Sequence, residues 1–279
     1  MMQCPVCSGD MPFLFTAAVL GRYRVSYFKC TRCGFIQTEK PYWLKEAYSD
    51  AVSSLDVGLV QRNLRFSSVV ERIINSHFDR KARFLDFAGG YGLLVRLMRD
   101  KGFDFYWQDL YCENIFAKYH DIRDLEPKGK FELITAFEVA EHMQNPLVEI
   151  SMILDMGDAL FLSTELQPSA CISNVADWWY FVPESGQHLA FHTAESLRLI
   201  AEKMNCRIYS DGASLHLLSR RLLRSNPFRA EKQTFCQRLS SGVRQLTSFF
   251  RSEEKRESLL QSDFVLAKQK LKEMGKMTQ

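Results

Sequence analysis

In the first half of the chain, the spacing of apolar residues predicts a helix, a strand and a second helix. Residues 56–80 carry apolar side chains near every third or fourth position, which is the period of an amphipathic helix. Residues 83–87, in which three of the five side chains are apolar, are typical of a short strand, and residues 93–101 return to helical spacing. The turn between them contains Gly89, Gly90 and Gly92. Because glycines lack a Cβ and a helix N-terminus follows, this order predicts a loop that approaches a nucleotide-containing cofactor.

Strands and helices continue to alternate further along the chain. A helix is predicted at 193–205, with Thr193 as its N-cap. About 20 residues separate Asp109 from Phe131, so the strand and helix expected there must be short or irregular. The alternation implies an α/β fold, with a mainly parallel sheet that helices cover on both faces. The further predicted strands lie at 103–107, 131–137, 159–164, 207–210 and 214–219.

Four cysteines near the N-terminus form two CxxC pairs separated by 22 residues, Cys4 with Cys7 and Cys30 with Cys33. Two such turns, joined by a hairpin at 17–28, are typical of a zinc ribbon, in which four thiolates surround the ion. A four-cysteine site has no open position, so the predicted role of zinc is structural. The alternative is four free thiols; a redox CxxC is disfavoured because neither pair lies in a strand–helix context.

Composition and charge place this chain among ordinary globular proteins. It has 279 residues, of which 46% are hydrophobic and 25% charged, and a formal net charge of +3. The last 60 residues hold 14 Lys and Arg against 6 Asp and Glu, so the rest of the chain is net acidic. A nucleic-acid partner is therefore disfavoured. With neither an export signal nor a long apolar run, the expected location is cytoplasmic, where the remaining cysteines would stay as isolated thiols.

The segment 85–92 resembles the first motif of class I S-adenosylmethionine (SAM)-dependent methyltransferases, LDxGxGxG, with Ala88 in place of the first glycine. The resemblance implies a Rossmann-like methyltransferase domain that binds SAM. Asp86 would orient the loop or meet the amino acid end of the cofactor. Asp109 lies 19 residues beyond Gly90, where an acidic side chain can accept hydrogen bonds from the ribose hydroxyls. The alternative role, which is compatible with the first, is the N-cap of a helix that starts near Cys112. The implied cofactor-binding residues are Asp86, Ala88, Gly89, Gly90, Gly92, Asp109, Leu110, Phe137 and Glu138.

Two further segments resemble methyltransferases of sugar and polysaccharide biosynthesis. Residues 137–146 are similar to an EVxEHxxxP segment, and residues 178–188 to a WxYxxPxxGQH loop. A zinc ribbon before the domain is also similar to the sugar C-methyltransferases, although this chain lacks their large C-terminal domain. The resemblance covers roughly residues 1–220. It implies a zinc-ribbon module at 1–45 and the methyltransferase domain at 46–220. The basic and apolar residues beyond them predict a basic helical extension at 221–279.

The connection 165–192 follows a predicted strand and should therefore cover the methyl donor. Its flat aromatic side chains suit a sugar ring, but they can also simply pack the loop onto the core. For removal of the acceptor proton the candidate bases are His142, His188 and Glu141, each of which can instead be a capping or packing residue. The candidate acceptor-binding residues are Trp178, Trp179, Tyr180 and Gln187.

These observations predict a SAM-dependent methyltransferase acting on a sugar, a glycan precursor or a related small molecule. One alternative is an RNA base methyltransferase, since such enzymes also combine a zinc module with this core. Another is a non-catalytic SAM-binding protein, with Ala88 as a sign of degeneration. The basic stretch at 220–250 and the charged helix expected at 253–274 can contact a membrane surface or a protein partner, or pack on their own domain. The oligomeric state is left open.

Overall fold

The computed structural model describes residues 2–49, 56–126, 129–228, 257–263, 265–266 and 269–270. The N-terminal part consists of short antiparallel strands followed by one turn of helix. Its elements are β1 (Met2–Gln3), β2 (Asp10–Met11), β3 (Phe13–Val19), β4 (Tyr23–Lys29), β5 (Ile36–Thr38) and α1 (Leu44–Ala47). Strands β3 and β4 pair as an antiparallel hairpin, so the predicted hairpin is confirmed.

The next part of the chain alternates strands with helices. It begins with α2 (Leu59–His77), β6 (Arg83–Phe87), α3 (Leu93–Asp100), β7 (Asp104–Gln108), β8 (Leu133–Ala136) and α4 (Pro146–Asp155). It continues with β9 (Ala159–Ser163), β10 (Ala190–Phe191), α5 (Ala194–Lys203), β11 (Arg207–Ser210) and β12 (Leu215–Ser219). The helix α4 and the strand β10 are additions to the sequence prediction.

Six of these strands form one sheet in the order β11-β12-β9-β8-β6-β7. The four strands from β9 to β7 are parallel, and β12 and β11 continue the sheet as antiparallel neighbours. Strands β8 and β9 lie inside the sheet with every residue buried, which matches their nearly continuous apolar sequences. This arrangement confirms the predicted α/β fold with a Rossmann-like methyltransferase sheet.

The short interval between β7 and β8 is irregular, as expected. Its contribution to the sheet is a single parallel bridge between Trp107 and Asp121. A 3-10 turn follows at Ile122–Asp124, with the Asp121 side chain accepting a hydrogen bond from the Arg123 amide. The chain therefore reaches β8 without a full strand and helix in the described residues of this interval.

The N-terminal module shares a sheet with the methyltransferase domain. Strand β10 pairs with β5, so a strand from residues 190–191 completes the sheet β10-β5-β4-β3. Directly after β10, Thr193 caps α5 in a reciprocal capping box with Ser196, as predicted for the N-cap. The Thr193 hydroxyl also donates a hydrogen bond of 2.6 Å to the carbonyl oxygen of Cys33. The first 45 residues thus depend on the later chain for part of their sheet.

One segment of the C-terminal extension packs on its own domain. Asp263 accepts hydrogen bonds of 2.8 Å from both Nε and Nη2 of Arg99, and one of 2.9 Å from Arg96. Asp263 is only 9% exposed and Arg99 6%. Most of the basic stretch predicted at 220–250, from position 229 onwards, and the start of the charged helix predicted at 253–274 lie outside the described residues. Among the described residues, no helix combines the length and apolar character needed to cross a membrane.

The Arg99–Asp263 pair generates a stability prediction. We expect Asp263→Asn to lower the free energy of unfolding by about 2 kcal/mol, because it removes the charge opposite a buried guanidinium that keeps only Asp104 as a carboxylate partner. Asp100→Asn, which breaks a more exposed pair with Arg96, should cost less than about 0.5 kcal/mol. Urea unfolding measures both variants, and equal losses would contradict a specific role for the buried pair.

Candidate active site

The glycine turn after β6 has the backbone conformation of a tight ligand-binding loop. Ala88 has a φ of +53°, so it adopts the left-handed conformation that glycine accommodates more easily. A Cβ on Gly89 would lie 2.6 Å from Asp86 Oδ2, and one on Gly92 would lie 2.6 Å from Asn114 Oδ1. A Cβ on Gly90 would meet nothing within 4 Å. Two of the glycines are therefore required by packing, and Gly90 leaves open space for a ligand.

Asp86 lies at the end of β6, beneath this turn. The Thr135 hydroxyl on the neighbouring β8 donates a hydrogen bond of 2.6 Å to its Oδ1. The carboxyl is 4% exposed, and burial raises its pKa to about 7. In the absence of a cationic ligand, Asp86 therefore carries its proton through the weakly acidic range.

Asp109 holds the far side of the turn. Its Oδ2 accepts a hydrogen bond of 3.0 Å from the amide of Gly90, and its Oδ1 accepts bonds from the amides of Tyr111 and Cys112. No helix begins near Cys112 in the described residues, so Asp109 is not the helix N-cap considered as its alternative role; it caps a turn there and ties the glycine turn to the end of β7. Leu110, the next residue, is 80% exposed. The predicted contact of Asp109 with a ribose is compatible with this geometry and stays a prediction.

A cavity of about 780 Å³ lies beside these residues and extends to the 165–192 connection. It brings together predicted residues from four separate parts of the chain. Gly92 and Trp178 are the two predicted cofactor- or acceptor-binding residues that do not line it. Those that do are Asp86, Ala88, Gly89, Gly90, Asp109, Leu110, Phe137, Glu138, Glu141, His142, Trp179, Tyr180, Gln187 and His188.

The three candidate catalytic residues meet on one wall of the cavity. The ring centroids of His142 and His188 are 5.1 Å apart. One ligand atom from each histidine and one carboxylate oxygen of Glu141 all lie within 4.8 Å of one another. Burial lowers the pKa of His142 to about 3 and that of His188 to about 4. Both imidazoles are therefore neutral at pH 7. Burial first, and then the charge of Glu138, raise the pKa of Glu141 well above its usual range.

The aromatic loop divides between packing and the cavity. Trp178 is 7% exposed and packs against Tyr180, Phe181 and Phe191 in the core of the N-terminal module. Trp178 therefore packs the loop onto the core and does not reach the acceptor space, as the alternative interpretation held. Its apolar neighbours come from β10 and the N-terminal sheet, which the sequence pattern does not reveal. Trp179 is 71% exposed and lies at the cavity.

Two cavity residues, Tyr48 and Arg62, were not predicted from the sequence because they precede the glycine turn in the chain and belong to no recognised motif. The hydroxyl of Tyr48, just after α1, lies 3.0 Å from His142 Nδ1. Arg62 on α2 lines the cavity and binds Asp56 through two hydrogen bonds of 2.8 and 2.6 Å. Gln187 helps to fix this arrangement, since its amide donates a bond of 2.8 Å to the Ala47 carbonyl. No motif marks these residues, which reach the site through long-range packing.

The two CxxC turns lie together and share the same backbone pattern. Ser8 N donates to the carbonyl of Cys4, and Gly34 N donates to that of Cys30, at equivalent positions. The four sulfur atoms lie within 4.8 Å of one another, and the Cys4–Cys33 and Cys7–Cys30 distances are 3.6 and 3.4 Å. All four cysteines are buried, and none of them forms a disulfide. The predicted cysteine cluster is thereby confirmed as a geometric feature.

Comparison with known proteins assigns the family. The sequence profile described as "Methyltransferase domain" matches residues 60–211, which is more than half of the chain. The chain belongs to this methyltransferase family. The prediction of a SAM-dependent methyltransferase is thereby confirmed at the level of the enzyme class. No curated protein sequence matches the chain.

Solved structures with a similar fold are distant in sequence. An O-methyltransferase family protein from Burkholderia thailandensis is 12% identical with a TM-score of 0.44; the alignment covers 64% of this methyltransferase and 62% of that chain, less than two thirds of its length. The 1,6-didemethyltoxoflavin-N1-methyltransferase of the same organism is 14% identical, with a TM-score of 0.45 and coverage of 67% and 94%. The magnesium protoporphyrin IX methyltransferase of Synechocystis PCC 6803 is 16% identical, with a TM-score of 0.40 and coverage of 65% and 92%.

The buried carboxyl of Asp86 generates a pH prediction. Between its reference pKa of 3.8 and about 7, the unfolded chain releases this proton while the folded chain keeps it. The free energy of unfolding should therefore fall as pH rises through this range and level off above it. Relative to Asp86→Asn, which cannot ionise, we expect the wild-type protein to lose on the order of 4 kcal/mol. Urea unfolding from pH 4 to 8 measures this difference, and parallel curves for the two proteins would contradict it.

Proposed function

We propose that this methyltransferase transfers a methyl group from SAM to a hydroxyl group of a sugar, a glycan precursor or a related small molecule. The observation that carries the proposal is the single cavity that joins the glycine turn to the Glu141–His142–His188 group. Its volume of about 780 Å³ lies within the usual range for small-molecule sites. The cavity can therefore hold the cofactor and a small acceptor side by side.

The glycine end of the cavity suits a cationic nucleoside. Gly90 leaves open space in which a ligand can approach the backbone. Asp109 fixes the conformation of the turn by accepting a hydrogen bond from the Gly90 amide. The carboxylates of Asp86 and Glu138 face a cofactor whose sulfonium and ammonium groups are positive. When bound, SAM supplies an electrophilic methyl group on its sulfonium.

The other end of the cavity suits an uncharged acceptor with hydroxyl groups. Trp179 offers a flat aromatic face at the opening, and Tyr48 and Tyr180 add hydroxyl groups. His142 and His188 lie deeper, as neutral imidazoles. The protein aligns the acceptor oxygen with the methyl group and promotes loss of its proton. The group formed by Glu141, His142 and His188 is where we place that activation.

The charge of the cavity disfavours the RNA alternative. Arg62 is the one Lys or Arg among its described lining residues, and its guanidinium is already bound to Asp56. A phosphate-rich polymer would have to approach a largely anionic surface. The carboxylates that line the cavity are Asp56, Asp86, Asp109, Glu138, Glu141 and Glu149.

The conformation of Ala88 bears on the non-catalytic alternative. A degenerate turn would be expected to relax to negative φ and close over the cofactor space. Ala88 instead keeps a φ of +53° and lines the cavity, while Gly90 follows with a φ of +54°. The substitution therefore leaves the turn in the form that a ligand requires.

We also propose that Cys4, Cys7, Cys30 and Cys33 bind a structural zinc ion. Zinc–thiolate bonds of about 2.3 Å place the sulfur atoms of a tetrahedral site about 3.8 Å apart. The two short sulfur–sulfur distances of 3.4 and 3.6 Å are close to that spacing. A Cβ on Gly9 would lie 3.2 Å from Cys30 Sγ and 3.3 Å from Cys7 Sγ, so the chain leaves room there for the sulfur atoms.

Cofactor binding is the first test of this proposal. We expect calorimetry to show micromolar binding of SAM and S-adenosylhomocysteine. Asp109→Ala should weaken both at least tenfold, or by ~1.4 kcal/mol, because Gly90, Tyr111 and Cys112 lose their hydrogen-bond acceptor. Asp100→Asn, at the far end of α3, should bind both ligands like the wild-type protein. Absence of binding to the folded wild-type protein would overturn the proposal.

The acceptor class is tested with SAM carrying a labelled methyl group. We expect label to enter neutral mono- or oligosaccharides and not ribosomal or transfer RNA. Trp179→Ala should raise the acceptor KM while leaving SAM affinity unchanged, since this side chain lies at the opening of the cavity. Labelling of RNA alone would replace the sugar proposal with the RNA alternative.

The zinc proposal has its own test in metal content and thermal stability. Cys30→Ser should lose about one zinc per chain and melt at a lower temperature, because a structural ion contributes its binding energy to folding. Cys171→Ser changes an exposed, isolated thiol and should alter neither property. Elemental analysis and thermal unfolding measure both variants. Equal zinc contents in the wild-type protein and Cys30→Ser would exclude the four-cysteine site.

A further inference from the structure

We propose that Glu141, His142 and His188 form a second metal site, which binds a divalent transition-metal ion at the wall of the cavity. The ion would hold an oxygen atom of the acceptor next to the methyl donor. Metal binding itself is independent of the acceptor class, and only its catalytic consequence rests on the proposed function. The site differs in ligands and in position from the cysteine cluster.

The three side chains lie close enough together to share one metal ion. One ligand atom from each lies within 4.8 Å of the other two, yet no hydrogen bond joins any two of these side chains in the described structure. Metal–nitrogen and metal–oxygen bonds of about 2.1 Å place adjacent ligand atoms about 3 Å apart and opposite ones about 4.2 Å apart. Small side-chain movements would therefore bring all three atoms onto one ion.

The hydrogen bonds of the two histidines orient them as metal ligands. His142 Nδ1 lies 3.0 Å from the carbonyl oxygen of Gln187, and His188 Nδ1 lies 2.7 Å from that of Tyr180. A carbonyl oxygen only accepts hydrogen bonds, so each of these contacts requires the proton on Nδ1 and leaves the lone pair on Nε2. The Tyr48 hydroxyl, 3.0 Å from His142 Nδ1, then accepts from the same N–H group. Metal-binding histidines usually donate their second ring nitrogen in this way, which fixes the ring and its tautomer.

Glu141 would be the anionic ligand, and its burial is a second argument for the site. The residue has 0% exposure, and neither of its carboxylate oxygens makes a hydrogen bond of good geometry among the described residues, although the Tyr180 and Thr164 side chains lie beside it. A buried carboxylate without a partner is strongly unfavourable. Glu138, the nearby carboxylate, is already bound to the Ser163 hydroxyl. A cation between Glu141 and the two imidazoles would satisfy both the charge and the unpaired oxygens.

The ligand set indicates an open site. Three protein ligands leave coordination positions for water or an acceptor oxygen, in contrast to four closed thiolates. Two imidazoles and one carboxylate suit Fe²⁺, Co²⁺, Ni²⁺ or Zn²⁺ more than Mg²⁺ or Ca²⁺. Since all three residues line the cavity, the open positions face the space assigned to the acceptor.

The catalytic consequence follows from the charge of the ion. An acceptor hydroxyl bound to the ion becomes more acidic and releases its proton to water. The resulting oxygen anion then attacks the methyl carbon; the carbon–sulfur bond breaks, and S-adenosylhomocysteine leaves with the electron pair. The histidine lone pairs are engaged by the ion, so the histidines hold it and do not take the proton themselves.

The test titrates Co²⁺ into protein whose cysteine site is already filled with zinc. We expect one further Co²⁺ per chain, with visible bands that lack the thiolate-to-cobalt charge-transfer absorption of a cysteine site. Glu141→Gln and His188→Gln should each weaken this binding at least tenfold, and thermal unfolding shows whether each variant is folded. His77→Gln changes a histidine at the end of α2, outside the cavity, and serves as the matched control.

The outcomes separate the metal proposal from the proposed function. Absence of a further Co²⁺ in the wild-type protein, or equal binding by both folded variants, overturns the second metal site. Methyl transfer to sugars that survives removal of every metal except the cysteine-bound zinc also overturns its catalytic role, while leaving the proposed function in place and the histidines as direct bases. Co²⁺ binding that depends on Glu141 and His188 supports the site even where no sugar is methylated.

Discussion

The pairing of β5 with β10 is the constraint on which the acceptor end of the cavity depends. These strands join the N-terminal module to the connection that covers the sheet, and α1 follows β5 after only a few residues. This places Tyr48 against His142, and it lets Gln187 reach the Ala47 carbonyl. Without this pairing, the groups that we assign to the acceptor would have no fixed position relative to the glycine turn.

The second governing feature is the number of carboxylates at the ends of the parallel strands. Asp86 lies near the end of β6, Asp109 directly after β7, and Glu138 shortly after β8. The sheet therefore sets the positions of these three residues. Bringing them to one cavity is electrostatically unfavourable until a cation arrives. Burial, with a smaller contribution from the charge of Asp109, raises the pKa of Asp86 in the ligand-free protein. The cationic methyl donor, and the metal ion that we propose beside Glu141, would each offset this repulsion on binding.

The sequence predicted the parts of this molecule whose determinants are local. The glycine turn, the N-cap Thr193 and the two CxxC turns each depend on residues within a few positions, and the structure contains all of them. Strand β10 has two residues, too few for any period, and it forms because β5 offers it an edge. For the same reason, Trp178 could not be told from Trp179: adjacent aromatics carry equal signals, and only the N-terminal sheet decides which is buried.

Contacts of Gly34 and Gln167 connect the cysteine turns to the 165–192 connection, part of which lines the cavity. Gly34, in the second CxxC turn, has a φ of +74°, and a Cβ there would lie 3.0 Å from the Thr193 side chain. Gln167 donates hydrogen bonds of 2.9 Å to the carbonyls of both Gly34 and Phe191, so it holds the start of the 165–192 connection against its end. The aromatic segment between these anchors is therefore fixed by the fold of the cysteine turns. The zinc ion that we propose there would therefore act on the proposed acceptor site by restraining the backbone, from outside the cavity.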